Sequence, residues 1–264
     1  MELPGDHPGV SDARYRARRA EIAAISASYE PGGPIPEVAY TPVEDGVWRT
    51  VCAELAPLHA EHASAAYLEG AAALALEPDH VPQLAEVTSR LREQTGFTFR
   101  PVPGLVPART FYERLGDGVF SSTQYLRHES VPLYTPEPDL IHEVIGHGNG
   151  LASPVLADLY RLAGGAARRM RDDDELAALS RVFWFSIEFG VVREDGRPKA
   201  YGAGILSSYG EIQAFSQATI RPLDIEAMAA LDYDITRYQP VLFAGESMEE
   251  VTEVVGGYFA SAGV

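Results

Sequence analysis

Cysteine occurs once in this 264-residue chain, as Cys52, so an intrachain disulfide and a cluster of thiolate metal ligands are both excluded. Basic residues are also scarce: 21 Lys and Arg stand against 38 Asp and Glu, which gives a net charge of −17. Nucleic acids and anionic membrane surfaces bind basic faces, so we expect neither as a partner. The sequence has no apolar run of about 18 residues, and its first residues lack the basic and apolar regions of a signal peptide. We therefore expect a cytoplasmic protein.

The composition that remains is typical of a folded, mostly helical chain. Apolar residues make up 46% and charged residues 22% of the sequence, and the length suffices to bury a sizeable core. Apolar spacing predicts helices at about 12–29, 42–56, 59–76, 81–94, 107–115, 153–167, 173–190, 224–231 and 247–260. Short extended segments are expected at 97–102, 120–127 and 234–243, with a hairpin turn at 194–197. We predict one mainly α domain with a few short strands over residues 1–264.

Two of the seven histidines, His142 and His147, lie five residues apart in an otherwise apolar stretch. Imidazole is the commonest side-chain metal ligand. The prolines before them predict a helix that begins near Pro136 and carries His142. Zinc sites of the H-E-x-x-H type have an interval of four, whereas an interval of five places the second ligand well round a regular helix. Gly146 offers a solution, because the helix can loosen or end there and let His147 turn inward.

A third ligand should be a carboxylate or another histidine, and Glu188 is the first candidate. It lies inside the apolar and aromatic run 183–192, where an ionised carboxylate is costly to bury unless a cation meets it. A metal ion and an Arg or Lys partner are both open interpretations. Glu143 is the other candidate for the third ligand. Because it directly follows His142, its side chain projects about 100° away from that of His142 on a helix, which favours a position beside the metal.

Two histidines and one carboxylate with open positions are the ligand set of non-haem Fe(II) oxygenases. A zinc hydrolase with Glu143 as general base is the alternative from another class, although the five-residue interval speaks against it. Arg127, just upstream, could bind a substrate carboxylate bidentately or form a structural ion pair. Trp184 lies four residues before Glu188 and could form an aromatic wall beside the metal. Core packing is the commoner role for a single Trp.

Several short motifs are spread along the whole chain. They are Asp6-His7-Pro8-Gly9, Thr123-Gln124-Tyr125, Arg127-His128, Pro136-Glu137-Pro138-Asp139, His142-Glu143, Gly146-His147, Trp184-Phe185, Glu188-Phe189-Gly190, Tyr201-Gly202-Ala203-Gly204, Ser207-Ser208 and Tyr238-Gln239-Pro240. As a set, they resemble the catalytic domain of the tetrahydrobiopterin-dependent aromatic amino acid hydroxylases.

This resemblance implies a cofactor set and a role for each matching residue. Fe(II) would be bound by His142, His147 and Glu188, with tetrahydrobiopterin or another tetrahydropterin as cofactor and O2 as co-substrate. The aromatic amino acid would contact Arg127, Thr135, Pro138, Trp184, Phe189, Gly204, Ser207 and Ile235. The pterin would lie near Leu105, Val106, Phe111, Glu143 and Phe183, with Phe111 stacking on it. Glu143 would also be a catalytic residue.

The resemblance further narrows the expected substrate. In having a Trp at position 184, the chain resembles the phenylalanine and tyrosine enzymes of the family. The apolar side chain of Ile235 cannot form a hydrogen bond with a phenolic hydroxyl. We therefore expect conversion of L-phenylalanine to L-tyrosine, with phenylalanine 3-hydroxylation or tyrosine 3-hydroxylation as alternatives. The chain has no room for the regulatory domain or the tetramerisation tail of animal members, so we expect a monomer.

The chain departs from the family pattern in two places. The family usually has Val-Pro and an apolar residue after the second histidine ligand, and this chain has Gly148-Asn149-Gly150. Ser121 stands where animal phenylalanine enzymes have a histidine on the pterin side. Either change could indicate hydroxylation at another ring position.

Overall fold

Residues 5, 7–235 and 237–264 are described in the computed structural model of this chain, so Asp6 of the first motif lies outside the described residues. The α-helices are α1 Pro8–Ser11, α2 Ala13–Ala27, α3 Pro42–His62, α4 Ala65–Leu74, α5 Leu84–Gln94, α6 Ala108–Leu115, α7 Asn149–Ala152, α8 Pro154–Ala167, α9 Asp173–Phe183, α10 Ala203–Leu206, α11 Tyr209–Ala214, α12 Ile225–Ala230, α13 Met248–Val251 and α14 Gly257–Ser261. Three segments are π-helical, namely π1 His142–Gly148, π2 Trp184–Glu188 and π3 Thr252–Gly256, and Phe215–Gln217 is a 3₁₀ turn. The strands are β1 Thr98–Pro101, β2 Val119–Ser122, β3 Val191–Glu194, β4 Arg197–Ala200, β5 Thr219–Pro222 and β6 Val241–Gly245. The prediction of a mainly α fold with a few short strands is confirmed.

Two small sheets flank the helices. Strands β1 and β2 pair in parallel and place Phe99 opposite Phe120, and the second sheet has the order β4-β3-β6-β5. Strands β3 and β4 form the expected hairpin. Its turn residues Asp195 and Gly196 have φ angles of 51° and 74°, which suits a tight turn whose central residues are left-handed.

Helix α3 is longer than predicted and contains Pro57. The sequence predicts a break near residue 56, but α3 continues to His62 and α4 begins only after Ser64, whose Oγ accepts a hydrogen bond from the backbone N–H of Tyr67. Proline removes one backbone donor from a helix. The apolar face of α3, including fully buried Leu55, keeps its packing on both sides of the proline, and this burial offsets the missing hydrogen bond.

Two predicted boundaries near the candidate site are wrong. The helix expected from Pro136 begins at Leu140, because Asp139 is its cap: its carboxylate accepts the N–H of His142 at 3.1 Å and its carbonyl accepts the N–H of Glu143 at 3.0 Å. The extended segment expected at 234–243 is a strand only over β6. Residues 231–235 and 237–240 form a loop, named here the 231–240 loop, and Thr236 lies outside the described residues.

The core brings π1, π2 and α10 together at the centre of the molecule. Helix α4 packs on α7, which continues π1, through Gly70. A Cβ at Gly70 would come within 2.1 Å of the Asn149 carbonyl oxygen, so only glycine allows this approach. In the described part of the chain, no helix combines the length and hydropathy needed to cross a membrane.

Candidate metal centre and active site

Three side chains converge between π1 and π2. The Nε2 atoms of His142 and His147 are 3.0 Å apart. Oε1 of Glu188 lies 3.3 Å from the His147 Nε2, and its Oε2 lies 3.9 Å from the His142 Nε2. Ligands held at about 2.0–2.2 Å from one metal stand about 3.0–3.6 Å apart. Within the described residues, these three side chains could therefore hold one metal ion.

The five-residue interval is possible because π1, which carries both histidines, is π-helical, and π2, which carries Glu188, is also π-helical. The backbone N–H of Asn149 donates to the carbonyl of Val144, and the N–H of Phe189 donates to Trp184, each five residues back. This wider turn places residues five apart on one side. The helix is thus widened over the whole of π1 and does not end at Gly146.

Gly146 has a different role, which is close packing against α10. A Cβ there would lie 2.8 Å from the carbonyl oxygen of Ala203 and 3.2 Å from the Cβ of Ser207. Helix α10 can therefore approach π1, and this brings Ser207 to His142. The small-residue segment 201–211 thus makes a close approach to the ligand helix.

Ser207 orients the first histidine. Its hydroxyl donates to the Ala203 carbonyl at 2.8 Å and lies 2.8 Å from Nδ1 of His142. Because the hydroxyl proton is used on Ala203, the serine oxygen accepts from Nδ1–H and leaves Nε2 bare for a metal. Burial, followed by repulsion from His147, lowers the pKa of His142 to about 4, so the ring is neutral, as a ligand must be.

Glu188 faces imidazoles and no other basic group. No Arg or Lys among the described residues lies within ion-pair distance of it; its partners are His142 and His147. Burial opposes its ionisation, but attraction to His147 and His142 outweighs burial and lowers the pKa of the carboxyl. This environment favours the metal-ligand interpretation over the buried Arg or Lys pair.

Glu143 lies beside the three ligands rather than among them. Its Oε1 is 3.5 Å from both the backbone N and the Oγ1 of Thr123. Burial raises the pKa of Glu143 well above its ordinary value. Glu143 therefore keeps its proton to a higher pH than an exposed carboxyl does.

Arg127 forms the structural ion pair that the sequence left open. Its Nε and Nη2 donate to the two carboxylate oxygens of Asp139 at 2.9 and 2.8 Å, and both side chains are almost fully buried. Burial opposes ionisation of Asp139, but the guanidinium outweighs it and lowers the pKa of the carboxyl. Nη1 has only a 3.5 Å contact with the Pro132 carbonyl, so this nitrogen remains as a donor for a ligand carboxylate.

An aromatic stack borders the ligand cluster. Trp184 lies face to face with Tyr233 at a centroid distance of 4.1 Å and an angle of 8°, and Phe189 packs on it at 4.6 Å. The indole N–H donates to Oε1 of Gln239 at 3.2 Å. A Cβ at Gly204 would lie 2.7 Å from the Phe189 ring, so this glycine is required for the ring's position.

The remaining predicted substrate residues lie on loops. The Thr135 hydroxyl donates to the Glu137 carbonyl at 2.8 Å within its own turn, and the Pro138 carbonyl accepts from the Tyr125 hydroxyl at 2.8 Å. Ile235 on the 231–240 loop is 45% exposed. No apolar pocket encloses Ile235 in the described conformation, and its effect on substrate choice stays a prediction.

The predicted pterin residues fall into two groups. Phe111 packs edge-on against Phe120 and Phe183 at 5.4 and 6.3 Å, and Phe183 is buried behind it. Leu105 is 60% exposed and Val106 is half-buried, both on the loop after β1. Their part in binding a pterin stays a prediction.

Comparison with known proteins connects this geometry to a family. Residues 1–262 match the family described as biopterin-dependent aromatic amino acid hydroxylase. The chain belongs to this family. It is therefore an enzyme of the aromatic amino acid monooxygenase type.

Individual relatives agree with this membership. A protein named phenylalanine 3-hydroxylase from Streptomyces coeruleorubidus is 52% identical over 257 residues, covering 97% of this chain and 92% of that protein. Tyrosine 3-monooxygenase from Mus musculus is 42% identical over 97% of this chain, and the chain spans about half, 53%, of that enzyme. A crystal structure of Chromobacterium violaceum phenylalanine hydroxylase with bound iron(III) and 7,8-dihydrobiopterin is similar, with a TM-score of 0.76, 26% identity, and coverage of 86% of this chain and 87% of that one.

Sequence reasoning missed several residues at the site of this hydroxylase. Asp139 could have been found, since an Asp directly before a helix is an N-cap signal. Tyr160, whose hydroxyl lies 2.8 Å from Nδ1 of His147, and Tyr233 have no local signal. They reach the site only because the chain folds back on itself.

Proposed function

We propose that this hydroxylase converts L-phenylalanine to its 3-hydroxy product, meta-tyrosine. The observation that carries the proposal is the 52% identity to a phenylalanine 3-hydroxylase over 92% of that protein. Sequence motifs alone favoured position 4 and kept position 3 as an alternative. The relative supports the alternative, and the departure at Gly148-Asn149-Gly150 is consistent with a changed ring position.

Iron is the proposed metal, held by His142, His147 and Glu188. The donor set fits: two imidazoles and one carboxylate converge, and three protein ligands leave open positions on an octahedral ion. When bound, Fe(II) and a tetrahydropterin supply the activation of O2. The protein's own residues then decide which substrate atom lies over the metal.

Arg127 is proposed to hold the substrate carboxylate through Nη1, because Asp139 fixes the rest of its guanidinium. Trp184, Phe189 and Gly204 form the wall for the aromatic ring, with Thr135, Pro138 and Ile235 at its outer edge. A substrate fixed at one end by a rigid cation and at the other by a wall presents one ring edge to the metal. This two-point contact is the physical basis of ring-position selectivity.

For the pterin we propose a site at the Phe111 ring, bordered by Leu105, Val106, Glu143 and Phe183. Glu143 is buried beside the ligands and would act there as a proton-holding group. We also propose that the chain is a monomeric, single-domain cytoplasmic enzyme, which sedimentation and fractionation would test.

Incubation with Fe(II), tetrahydrobiopterin, O2 and each aromatic amino acid tests the function. We expect phenylalanine to give meta-tyrosine, identified by chromatography against authentic standards. Para-tyrosine as the main product would establish the second candidate, 4-hydroxylation. Formation of 3,4-dihydroxyphenylalanine from tyrosine, with phenylalanine inert, would establish tyrosine 3-hydroxylation, which several 41–42% identical relatives perform by name.

A further inference from the structure

The second histidine ligand has a partner that no sequence motif indicated. Tyr160 on α8 places its hydroxyl 2.8 Å from Nδ1 of His147. Both rings are buried, at 4% and 2% exposure. His147 is the one hydrogen-bond partner that the described residues give this hydroxyl, so the contact is not shared with another group.

The position of the Tyr160 ring is fixed by its surroundings. The rings of Phe97, Phe120 and Phe183 lie edge-on to it at centroid distances of 6.3, 6.4 and 6.0 Å. On the side of α7 the hydroxyl meets Gly150: a Cβ built there would lie 3.8 Å from the phenol oxygen. A methyl group fits at that distance, which is an ordinary van der Waals contact, and we expect a longer side chain such as leucine to reach the hydroxyl.

We propose that Tyr160 is a positioning residue for the metal centre, which holds His147 in the orientation and tautomer that present Nε2 to the metal, and that a small residue at position 150 leaves room for this contact. Coordination through Nε2 places the imidazole proton on Nδ1. The phenol oxygen accepts a hydrogen bond from this Nδ1–H group. It does for His147 what Ser207 does for His142, from a different helix.

The chemistry of a phenol suits this role. A tyrosine hydroxyl ordinarily has a pKa of about 10 and is neutral at neutral pH, so it is a weak acceptor. A carboxylate at this position would pull the Nδ1 proton toward itself and make the imidazole more strongly donating. A neutral acceptor fixes the ring without adding negative charge beside Glu188.

The test uses Tyr160→Phe, which removes the hydroxyl and keeps the ring. Partners that orient metal-binding histidines typically change metal affinity by about 10–100-fold, so we expect the Kd for Fe(II), titrated anaerobically against a competing chelator, to rise by about that factor. We also expect the visible absorption spectrum of the Co(II)-loaded protein to change. Tyr67→Phe is the matched control, because the buried Tyr67 hydroxyl donates to the Ile145 carbonyl of π1, accepts from the Asn149 side chain and, among the described residues, forms no hydrogen bond with His142 or His147. Its Kd should stay within about threefold of wild type.

Substitutions at Gly150 test the second half of the proposal. Gly150→Ala should leave the Kd for Fe(II) unchanged, whereas Gly150→Leu should raise it as much as Tyr160→Phe does. The double variant Gly150→Leu, Tyr160→Phe should have nearly the same Kd as Tyr160→Phe, because both substitutions remove the same contact between Tyr160 and His147. A wild-type Kd and Co(II) spectrum in Tyr160→Phe, or an equal loss in Tyr67→Phe, would overturn the proposal. The inference rests on the proposed metal site: a wild-type protein that binds no Fe(II) refutes both, whereas normal Fe(II) binding in Tyr160→Phe refutes only this one. Neither readout depends on which substrate is hydroxylated.

Discussion

The metal-ligand cluster differs in construction from its rim, by which we mean the proposed substrate and pterin contacts around it. His142, His147 and Glu188 lie on π-helical segments in the core, and each histidine has a hydrogen-bonding partner from another helix. The proposed contacts to substrate and pterin lie largely on loops, where Leu105 and Ile235 are 60% and 45% exposed. The ligand cluster is thus preorganised, while the rim can vary without disturbing it. We therefore expect substitutions in the rim to change substrate choice with little effect on metal binding.

Loss of a metal ligand should have the largest effect, because it should abolish metal binding and leave the rim in place. Glu188→Ala removes the only carboxylate of the cluster, and we expect it to lose stoichiometric Fe(II) and to lower hydroxylation by at least about a thousandfold. Metal content by atomic emission and turnover with phenylalanine measure both. Glu143→Gln is the matched control and should keep its iron. Full iron and activity in Glu188→Ala would refute the ligand assignment.

The second-largest effect is expected at Arg127, the proposed contact for the substrate carboxylate. Arg127→Lys keeps a charge but cannot reproduce the fork that binds Asp139, so we expect the KM for phenylalanine to rise by about 10–100-fold. Iron content should stay at the wild-type level. Arg14→Lys, at an exposed pair with Glu129, should change neither quantity. An unaltered KM in Arg127→Lys would remove this residue from the substrate site.

Within the rim, the stacked residue should matter more than the exposed one. Tyr233→Ala removes the ring stacked on Trp184, and an aromatic pair is worth about 0.5–1.5 kcal/mol, so the KM for phenylalanine should rise by about 2–10-fold. Ile235→Ala on the same loop should change it by less than about twofold. Steady-state kinetics with phenylalanine and tyrosine measure both variants. A larger effect of Ile235→Ala, or a switch in its substrate preference, would show that the loop closes over the substrate.

The last expected effect is on stability and concerns the anchor of the 231–240 loop. Glu211 accepts the backbone N–H of Gln239 at 2.9 Å, and burial raises its pKa from 4.5 to about 7. Between these values the unfolded carboxyl loses its proton while the folded one keeps it, so the free energy of unfolding falls as pH rises through this window. Glu211→Gln should remove that fall, which is at most about 3 kcal/mol.

Urea unfolding at about pH 5 and about pH 8 measures this difference. Glu54→Gln, at an exposed position on α3, is the control and should retain the wild-type pH dependence. A pH dependence in Glu211→Gln equal to that of wild type would assign the effect to other groups.

The sequence by itself determined the class of fold and the donor types of the metal centre. Apolar spacing predicted most of the helices, and the two histidines and Glu188 stood out because each is a polar group in an apolar run. These are local patterns, and periodicity along a chain reports which residues are buried. The sequence did not predict the π-helical widening over His142–Gly148 that accommodates the interval of five.

Tertiary structure alone decided the partner of each polar group. Arg127 pairs with Asp139, the His142 ring meets a serine 65 residues away, and His147 meets Tyr160. Such pairs are selected because a buried polar group without a partner is costly. Which partner satisfies it depends on how helices distant in sequence pack, and neither composition nor spacing contains that information.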